Sequence, residues 1–381
     1  MAPVMAQDAA HMARALELAA RGLYTSDPNP RVGCVLAHGG TVVGEGWHQR
    51  AGEPHAEVLA LRAAQGHARG ATAHVTLEPC SHTGRTPPCV DALIEAGVAR
   101  VSCASPDPNP RVAGAGIERL RAAGIEVVVG ALAAEARALN AGFFSRFERS
   151  RPLVRLKLAI SLDGRSAYAD GRKAWISGEA ARADVQIWRA RSSAVLTGAG
   201  TVRADDPRLD VRLNYGPWVR QPLRVVLDPS RSCPPSAKIF RGDGAVVFTA
   251  ATDDSDRQGR RGRHDDECAG PPAGAGAPRI ERVARQAGGG LDLAAVLQRL
   301  TVLEVNEVLV ECGARLAGAF LQAGLVDVMI LYVAPLLLGA AAPPLADLQR
   351  LPGCSVPPHF AFDDVGRIGE DLRLILLPTK V

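Results

Sequence analysis

The sequence predicts a two-domain α/β protein, and three observations predict it. A chain of 381 residues is longer than one ordinary hydrophobic core accommodates. Short apolar strand patterns alternate with amphipathic helical ones over residues 7–131, as in a sheet covered by helices on both faces. In "FFSRFERSRP" (143–152) the helical pattern gives way to charge and Pro152, and a new strand, "LVRLKLAISLDG", begins. The expected units are 1–148 and 151–381.

The first unit opens with a helix over 7–21, closed by Gly22. A hairpin over 32–47 turns at "HGG", and a helix over 55–65 starts just after Pro54. "ATAHVTLEPC" carries a strand over 72–77. Then come helix 89–96, strand 98–104, helix 115–123, strand 125–129 and a helix from 131. In such three-layer sheets ligands gather beyond one end of the strands, near helix N-termini. In the second unit "SSAVLTGAGTVRADDPRL" reads as strand, Gly-x-Gly turn and acidic loop. "VNEVLVECGARLAGAFLQAG" reads as strand 305–311, a turn at Gly313 and a helix to Gly324. A glycine turn between strand and helix is a phosphate cradle or a plain turn, and neither stretch completes G-x-G-x-x-G. Residues 250–290, rich in Gly, Ala, Asp and Arg, read as a flexible surface insertion.

Composition excludes several function classes. A net charge of +4 from 44 basic and 40 acidic side chains gives little support for a nucleic-acid surface. Aromatics are only 4% of residues, too few for stacking platforms, and the "RQGRRGR" run is balanced by nearby aspartates. The N-terminus has no cationic start followed by an apolar core, so a cytoplasmic protein is expected. The apolar run Val328–Ala342 is broken by Pro335 and falls short of the roughly 18 residues of a membrane span.

Eight cysteines in a cytoplasmic chain of this length do not make a disulfide framework. Cys34, Cys103, Cys233, Cys268, Cys312 and Cys354 lie singly among apolar or loop residues. Cys80 and Cys89 stand apart, because "LEPCSHTGRTPPC" (77–89) follows "GEPHAEVLALRAA", which holds His55 and Glu57. His55 and both thiols fall at or just before helix N-termini, where thiolate is favoured. One imidazole and two thiolates suit Zn²⁺ and leave a fourth position for water. Glu57 could take that water's proton and deliver it to a leaving amine. This is the His-x-Glu…Pro-Cys…Cys arrangement of zinc deaminases, with eight residues between the cysteines in place of two. A structural site closed by His82 is the alternative, and it leaves Glu57 without a role.

The spacer is informative. "CSHTGRTPPC", "PNPRVGCV" (28–35), "GWHQRAGEPHAEV" (46–58) and "DPNPRVAGAG" (107–116) resemble the deaminase half of the bifunctional riboflavin-biosynthesis deaminase/reductase family, with Ala115 departing from it. The resemblance implies a three-layer, cytidine-deaminase-like fold and a diaminopyrimidinone substrate carrying a 5-phosphoribosylamino group. Asn29 can read the pyrimidine's amide edge, and His48, His82 and Arg85 are cationic candidates for its phosphate. Asp107 and Asn109 either reach ribose hydroxyls or ring nitrogens, or make ordinary turns.

"RPLVRLKLAISLDGRSAYADG", "WIS", "ARADVQIWRAR", "LTGAGTVRADDPRLDVR" and "VLVECGARLAGAFLQAGLVDVMILYVAPLLLG" look like the reductase half of the same family. That half is similar to dihydrofolate reductase in fold, uses NADPH and turns the ribosyl side chain into ribityl. The resemblance points to Ala159, Trp175, Thr201, Asp205 and the turn Gly313, Ala314, Arg315, Leu316, Ala317, Gly318 and Ala319 for the cofactor. It points to Lys157, Lys173, Arg189, Leu209, Arg212 and Glu311 for the substrate, and to a homodimer or homotetramer. Lys173 replaces a small polar residue of the family, and "ECGA" departs from its usual cofactor turn. A nucleic-acid base deaminase and a catalytically silent zinc scaffold are the competing readings, and Glu57 separates the scaffold from the enzymes.

Overall fold

A computed structural model describes residues 2–84, 86–172, 175–212, 219–251, 277–286, 289–348 and 357–379. The described chain divides into two compact units: one runs to Ser150 and takes in Val219 and Arg220 as well, and the other holds the rest from Arg151 onward.

The first unit contains α1 (Ala2–Ala20), β1 (Gly33–His38), β2 (Thr41–Trp47), α2 (Ala56–Ala63), β3 (Thr72–Val75) and α3 (Cys89–Glu95). It continues with β4 (Arg100–Cys103), α4 (Ala115–Ala122), β5 (Glu126–Val129), α5 (Ala133–Leu139) and α6 (Ala141–Glu148). The strand order is β2-β1-β3-β4-β5, with β1 antiparallel to both neighbours and β3, β4 and β5 parallel. Strand alternation sorts the core into two layers. Cys34 and Leu36 of β1 join Ala60, Val90, Leu93 and Leu120 from α2, α3 and α4, while Val35 joins Met12, Ala15 and Leu18 of α1 on the other face. The single helix expected from 131 is instead two, divided at Asn140. That side chain is recruited by Arg31, accepting from its N–H at 2.8 Å and donating to its carbonyl at 2.9 Å.

The second unit contains β6 (Leu153–Ser161), α7 (Glu179–Arg191), β7 (Ala194–Gly198), α8 (Ala199–Asp205), β8 (Leu223–Leu227), β9 (Ala245–Ala250) and β10 (Arg279–Val283). Then follow α9 (Leu293–Val302), β11 (Glu307–Glu311), α10 (Ala314–Gln322), β12 (Val328–Ala334), β13 (Phe360–Ile368) and β14 (Asp371–Pro378). Nine strands in the order β10-β9-β8-β7-β11-β6-β12-β14-β13 form one sheet, parallel from β10 to β12 and closed by the antiparallel hairpin β13–β14. One core layer joins Leu156, Val308 and Val310 to Leu297 and Phe320 of α9 and α10. The other joins Leu309, Ile330 and Tyr332 to Val185 and Trp188 of α7.

Two expectations are corrected here. The acidic loop after Gly198 is the helix α8, a two-turn element too short for its periodicity to stand out, with Ala199 and Val202 buried one turn apart. The insertion at 250–290 holds a paired strand, β10, at the sheet edge, whereas residues 252–276 lie outside the described residues, Cys268 among them. Of its two inward residues only Val283 is apolar; the other, Glu281, pairs its carboxylate with Arg299 of α9 at 2.7 Å, so the strand lacks the apolar alternation that would reveal it. Among the described residues no helix is long and apolar enough to cross a membrane.

Candidate metal centre and nucleotide cradle

Three local stops deliver the metal donors. His55, directly after Pro54, is the N-cap of α2, extended with ψ 166°. Pro88 is likewise the extended N-cap of α3, leaving Cys89 in its first turn. Cys80 lies in the loop after β3, held by Val90 N–H donating to its carbonyl at 3.2 Å and Cys89 N–H donating to its sulfur at 3.4 Å. His55 Nδ1 is consequently 3.2 Å from Cys89 Sγ and 3.5 Å from Cys80 Sγ.

Among the described residues His55, Cys80 and Cys89 form the one group of three such donors within 4.8 Å, and His82 is not part of it. Three protein donors with no fourth is the pattern of an open site, and a nitrogen with two sulfurs suits zinc. The Cys80 thiol is drawn down to about 4 by its hydrogen bond with Cys89, helped by His55, while Cys89 is raised as the partner keeping its proton. Such a site is already charged for a cation. Glu57 sits in the first turn of α2, 3% exposed, and burial pushes its carboxyl up to about 7 against the pull of His55. A bound cation would draw it back down.

Around this centre the candidate substrate residues fare differently. Asn29 Nδ2 donates to His48 Nε2 at 3.0 Å, and His48 Nδ1 donates to the Pro54 carbonyl at 3.4 Å. The His48 ring is buried, and burial with the neighbouring His55 pushes it down to about 4, away from the cationic state expected of it. Asp107 Oδ1 accepts from Asn109 N–H at 2.8 Å, and Asn109 Oδ1 from Arg111 N–H at 3.1 Å, so each side chain spends one oxygen on the local turn. His82 is half-buried with Nδ1 unpartnered, and Arg85 lies outside the described residues.

Sequence reasoning passed over Glu78, just before Pro79-Cys80. It is 4% exposed and accepts four backbone N–H groups, from Asp107, Gly114, Gly116 and Ile117, at 2.9–3.3 Å. Its signal was a carboxylate just past β3, directly before the Pro79-Cys80 pair.

In the second unit Lys157 and Glu311 are register partners on β6 and β11 and face the α7 side of the sheet. Arg189 of α7 reaches Glu311 twice, at 2.6 and 2.9 Å, and donates to the Asp210 carbonyl at 3.2 Å. Burial pushes the Lys157 amine down; burial would raise Glu311, but Arg189 outweighs it and holds the carboxyl low. Leu209 is buried with φ 53°, and the turn it makes presents Arg212, exposed, with its N–H on Gln186 and a guanidinium nitrogen 3.3 Å from Asp210. These residues form one cluster, and Lys173 lies outside the described residues.

The adjacent parallel strands β7 and β11 each run into a helix capped by a glycine, Gly198 before α8 and Gly313 before α10. A Cβ on Gly198 would lie 3.3 Å from Leu316, so the two helix starts are neighbours, whereas one on Gly313 would meet nothing within 4 Å. First-turn N–H groups have no helical partner, so this open pair of ends suits a phosphate of a nucleotide. Thr201 and Asp205 lie along α8, and Ala159 lies on β6. Further into α10 the turn closes. Ala317 is fully buried, Ala319 packs against the core, and a Cβ on Gly318 would lie 2.1 Å from the Asp347 carbonyl oxygen. The part open to a ligand is therefore Gly313–Leu316. Trp175 is 75% exposed, with Arg182 5.1 Å from its ring centre.

Comparison with known proteins divides the chain in the same way. Residues 5–105 match the model of the cytidine and deoxycytidylate deaminase zinc-binding region, and residues 152–374 match that of the RibD C-terminal domain. The riboflavin biosynthesis protein RibD of Escherichia coli K12 is 46% identical, covering 97% of this chain and 99% of its own length. The Haemophilus influenzae RibD is 43% identical over 98% of both. Among solved structures, Acinetobacter baumannii RibD superposes with a TM-score of 0.86 at 44% identity, covering 99% of this chain and 100% of that one. A Thermotoga maritima diaminohydroxyphosphoribosylaminopyrimidine deaminase/5-amino-6-(5-phosphoribosylamino)uracil reductase gives 0.80 at 34% identity, covering 98% and 99%.

Proposed function

The chain belongs to the RibD family of riboflavin-biosynthesis proteins, bifunctional deaminases and reductases that depend on zinc and NADPH, and from that premise we propose which residues carry the two reactions. Its first unit is the cytidine-deaminase-like domain and its second the dihydrofolate-reductase-like one. The first hydrolyses one exocyclic amine of 2,5-diamino-6-(5-phosphoribosylamino)pyrimidin-4-one, replacing C–NH₂ by C=O and releasing ammonia. His55, Cys80 and Cys89 hold the zinc, which when bound makes water a nucleophile at neutral pH. Glu57 takes the proton from the attacking water and passes it to the departing amine. Asn29 accepts from the pyrimidine's amide edge through its carbonyl oxygen, its amide nitrogen being engaged by His48. Asp107 and Asn109 meet the ribosylamino group and His82 its phosphate, with Arg85, outside the described residues, assigned to the phosphate by the family resemblance alone.

The second unit then reduces C1′ of the opened ribose, giving 5-amino-6-(5-phosphoribitylamino)uracil. NADPH supplies the hydride when bound. Lys157, its amine already made more acidic by burial, gives the proton to the sugar oxygen, and Glu311 fixes the ribose hydroxyls. Arg189 is spent on Glu311, so its part is to hold that carboxylate, while the exposed Arg212 meets the phosphate beside Leu209. Ala159, Thr201, Asp205, Gly313–Leu316 and Trp175 line the cofactor. A homodimer or homotetramer in the cytoplasm completes the reading. The apolar Phe362 and Val365, exposed on edge strand β13, support association, and the free thiols of the described cysteines support a reducing compartment.

The observation that carries this reading is a three-donor His–Cys–Cys group with a buried glutamate two residues past the histidine, in the first turn of α2. Ammonia release and NADPH oxidation, followed together on the diaminopyrimidinone, test it. Glu57→Gln should keep one zinc per chain, lose ammonia release by about 10²–10⁴-fold, and still oxidise NADPH when given the deaminated compound. Ammonia release surviving in Glu57→Gln would remove Glu57 from the proton path.

A further inference from the structure

Glu78 occupies an unusual position for a charged side chain. It is nearly buried between β3 and Cys80, and no lysine or arginine pairs with it among the described contacts. Its carboxylate is instead saturated by main chain. Oε1 accepts from the N–H groups of Gly116 at 2.9 Å and Ile117 at 3.3 Å, and Oε2 from those of Asp107 at 3.1 Å and Gly114 at 3.0 Å. Its own N–H donates to the Ser105 carbonyl at 3.0 Å.

Helix α4 explains the first pair. Its N-cap is Gly114, which has no side chain to accept from the first turn, and Gly116 and Ile117 are the second and third helical residues. Those are the two N–H groups an N-cap side chain normally satisfies. Glu78 therefore caps α4 from a distance of 36 residues in sequence, where the helix end also favours its charge. Contact is close enough to demand glycine, since a Cβ on Gly116 would lie 2.1 Å from the Pro79 carbonyl oxygen. The second pair does something else. It grips both ends of the 107–114 loop, which carries Asp107 and Asn109.

We propose that Glu78 is a positioning residue for the deamination, tying the segment that presents Cys80 to the loop that presents Asp107 and Asn109, so that the substrate is registered against the metal. The inference rests on the deaminase reading above, because it needs that loop to meet the substrate. Four charge-assisted hydrogen bonds from one side chain make the two segments a single body.

Glu78→Gln is the test, because the amide keeps one accepting oxygen and turns an NH₂ toward two donors. One pair of bonds survives and the other is lost. Zinc content, deaminase KM and kcat, and NADPH oxidation with the deaminated compound are measured on the full-length chain. The expected result is a deaminase KM raised by about 10–100-fold with zinc still at one per chain and the reductase unchanged, the size of effect seen when groups that orient a site are removed. Glu78→Asp, which keeps the charge on a shorter stem, should fall between, and it is read in the same way if Glu78→Gln fails to fold. An unchanged KM in the zinc-loaded variant overturns the proposal. So does a loss of zinc with normal KM in the fraction that retains it, which would leave Glu78 a purely structural support. Absence of ammonia release from the unsubstituted chain would instead sink the deaminase reading itself.

Discussion

Asp107, which we place at the substrate, would serve the site against the stability of the fold. Burial pushes its carboxyl from 3.8 up to about 7, although the N–H of Asn109 favours the charged form. Below pH 4 the folded and unfolded chains both hold the proton, and nothing is lost. Between 4 and 7 the unfolded chain ionises first, so stability falls as pH rises, and the full penalty applies above 7. Asp107→Asn keeps the oxygen that accepts from Asn109 and removes the ionisation. It should raise the melting temperature of the zinc-loaded protein at pH 8, by roughly 2–4 °C for each kcal/mol relieved, and by much less at pH 5. Deaminase activity should fall in the same variant. Equal gains at both pH values would show that charge is not the cause. The residue scale is also where the sequence was least legible. His55, Glu57, Cys80 and Cys89 announced themselves, because metal chemistry needs those types at chain stops. The sequence could not show that burial pushes the His48 ring away from the cationic state, or that Arg189 is spent on Glu311, since both follow from neighbours distant along the chain. Glu78 was missed for the same reason: its partners are backbone atoms that any sequence supplies.

Helix α2 is set by two glycines of the strand it covers. A Cβ on Gly44 would lie 2.3 Å from the Ala60 carbonyl oxygen, and one on Gly46 would lie 2.3 Å from that of Ala56 and 2.5 Å from the Ala60 nitrogen. Backbone cannot swing aside as a side chain does, so a methyl group at either position must push the helix off the sheet. His55 and Glu57 ride on the first turn of that helix. Gly46→Ala should therefore cost about 1–3 kcal/mol of stability and weaken zinc binding, read by competition with a chromogenic chelator. NADPH oxidation with the deaminated compound should be untouched. Retention of full zinc affinity would mean that the strand, not the helix, gives way. At this scale most of the sequence reading holds, since strands with apolar alternation and helices bounded by glycine or proline carry their own signals. Elements that lacked those signals were misread. The edge strand β10 turns Glu281 inward, α8 has only seven residues, and the α5–α6 break depends on Asn140 being taken by Arg31.

The two units divide the chemistry as cleanly as they divide the core. All three metal donors and Glu57 belong to the first, which has its own apolar layers around Leu36 and Val35. Lys157, Glu311 and the glycine-led ends of α8 and α10 belong to the second, which packs around Leu156 and Tyr332. A ligand stabilises only the cooperative unit whose folded form binds it, by RT ln(1 + [L]/Kd), about 2.7 kcal/mol at a hundredfold excess over Kd. Zinc would also join α2, α3 and the Cys80 loop through three donors that already touch one another. Calorimetry of the full chain should therefore resolve two transitions with separate dependences. Removing zinc with a chelator should lower one by several degrees, and adding NADPH should raise the other. If either additive moves both transitions together, the units unfold as one and ligand energy is shared between them. With independent units, the chelated protein has lost its deaminase centre and still reduces the deaminated compound at the rate of the zinc-loaded chain.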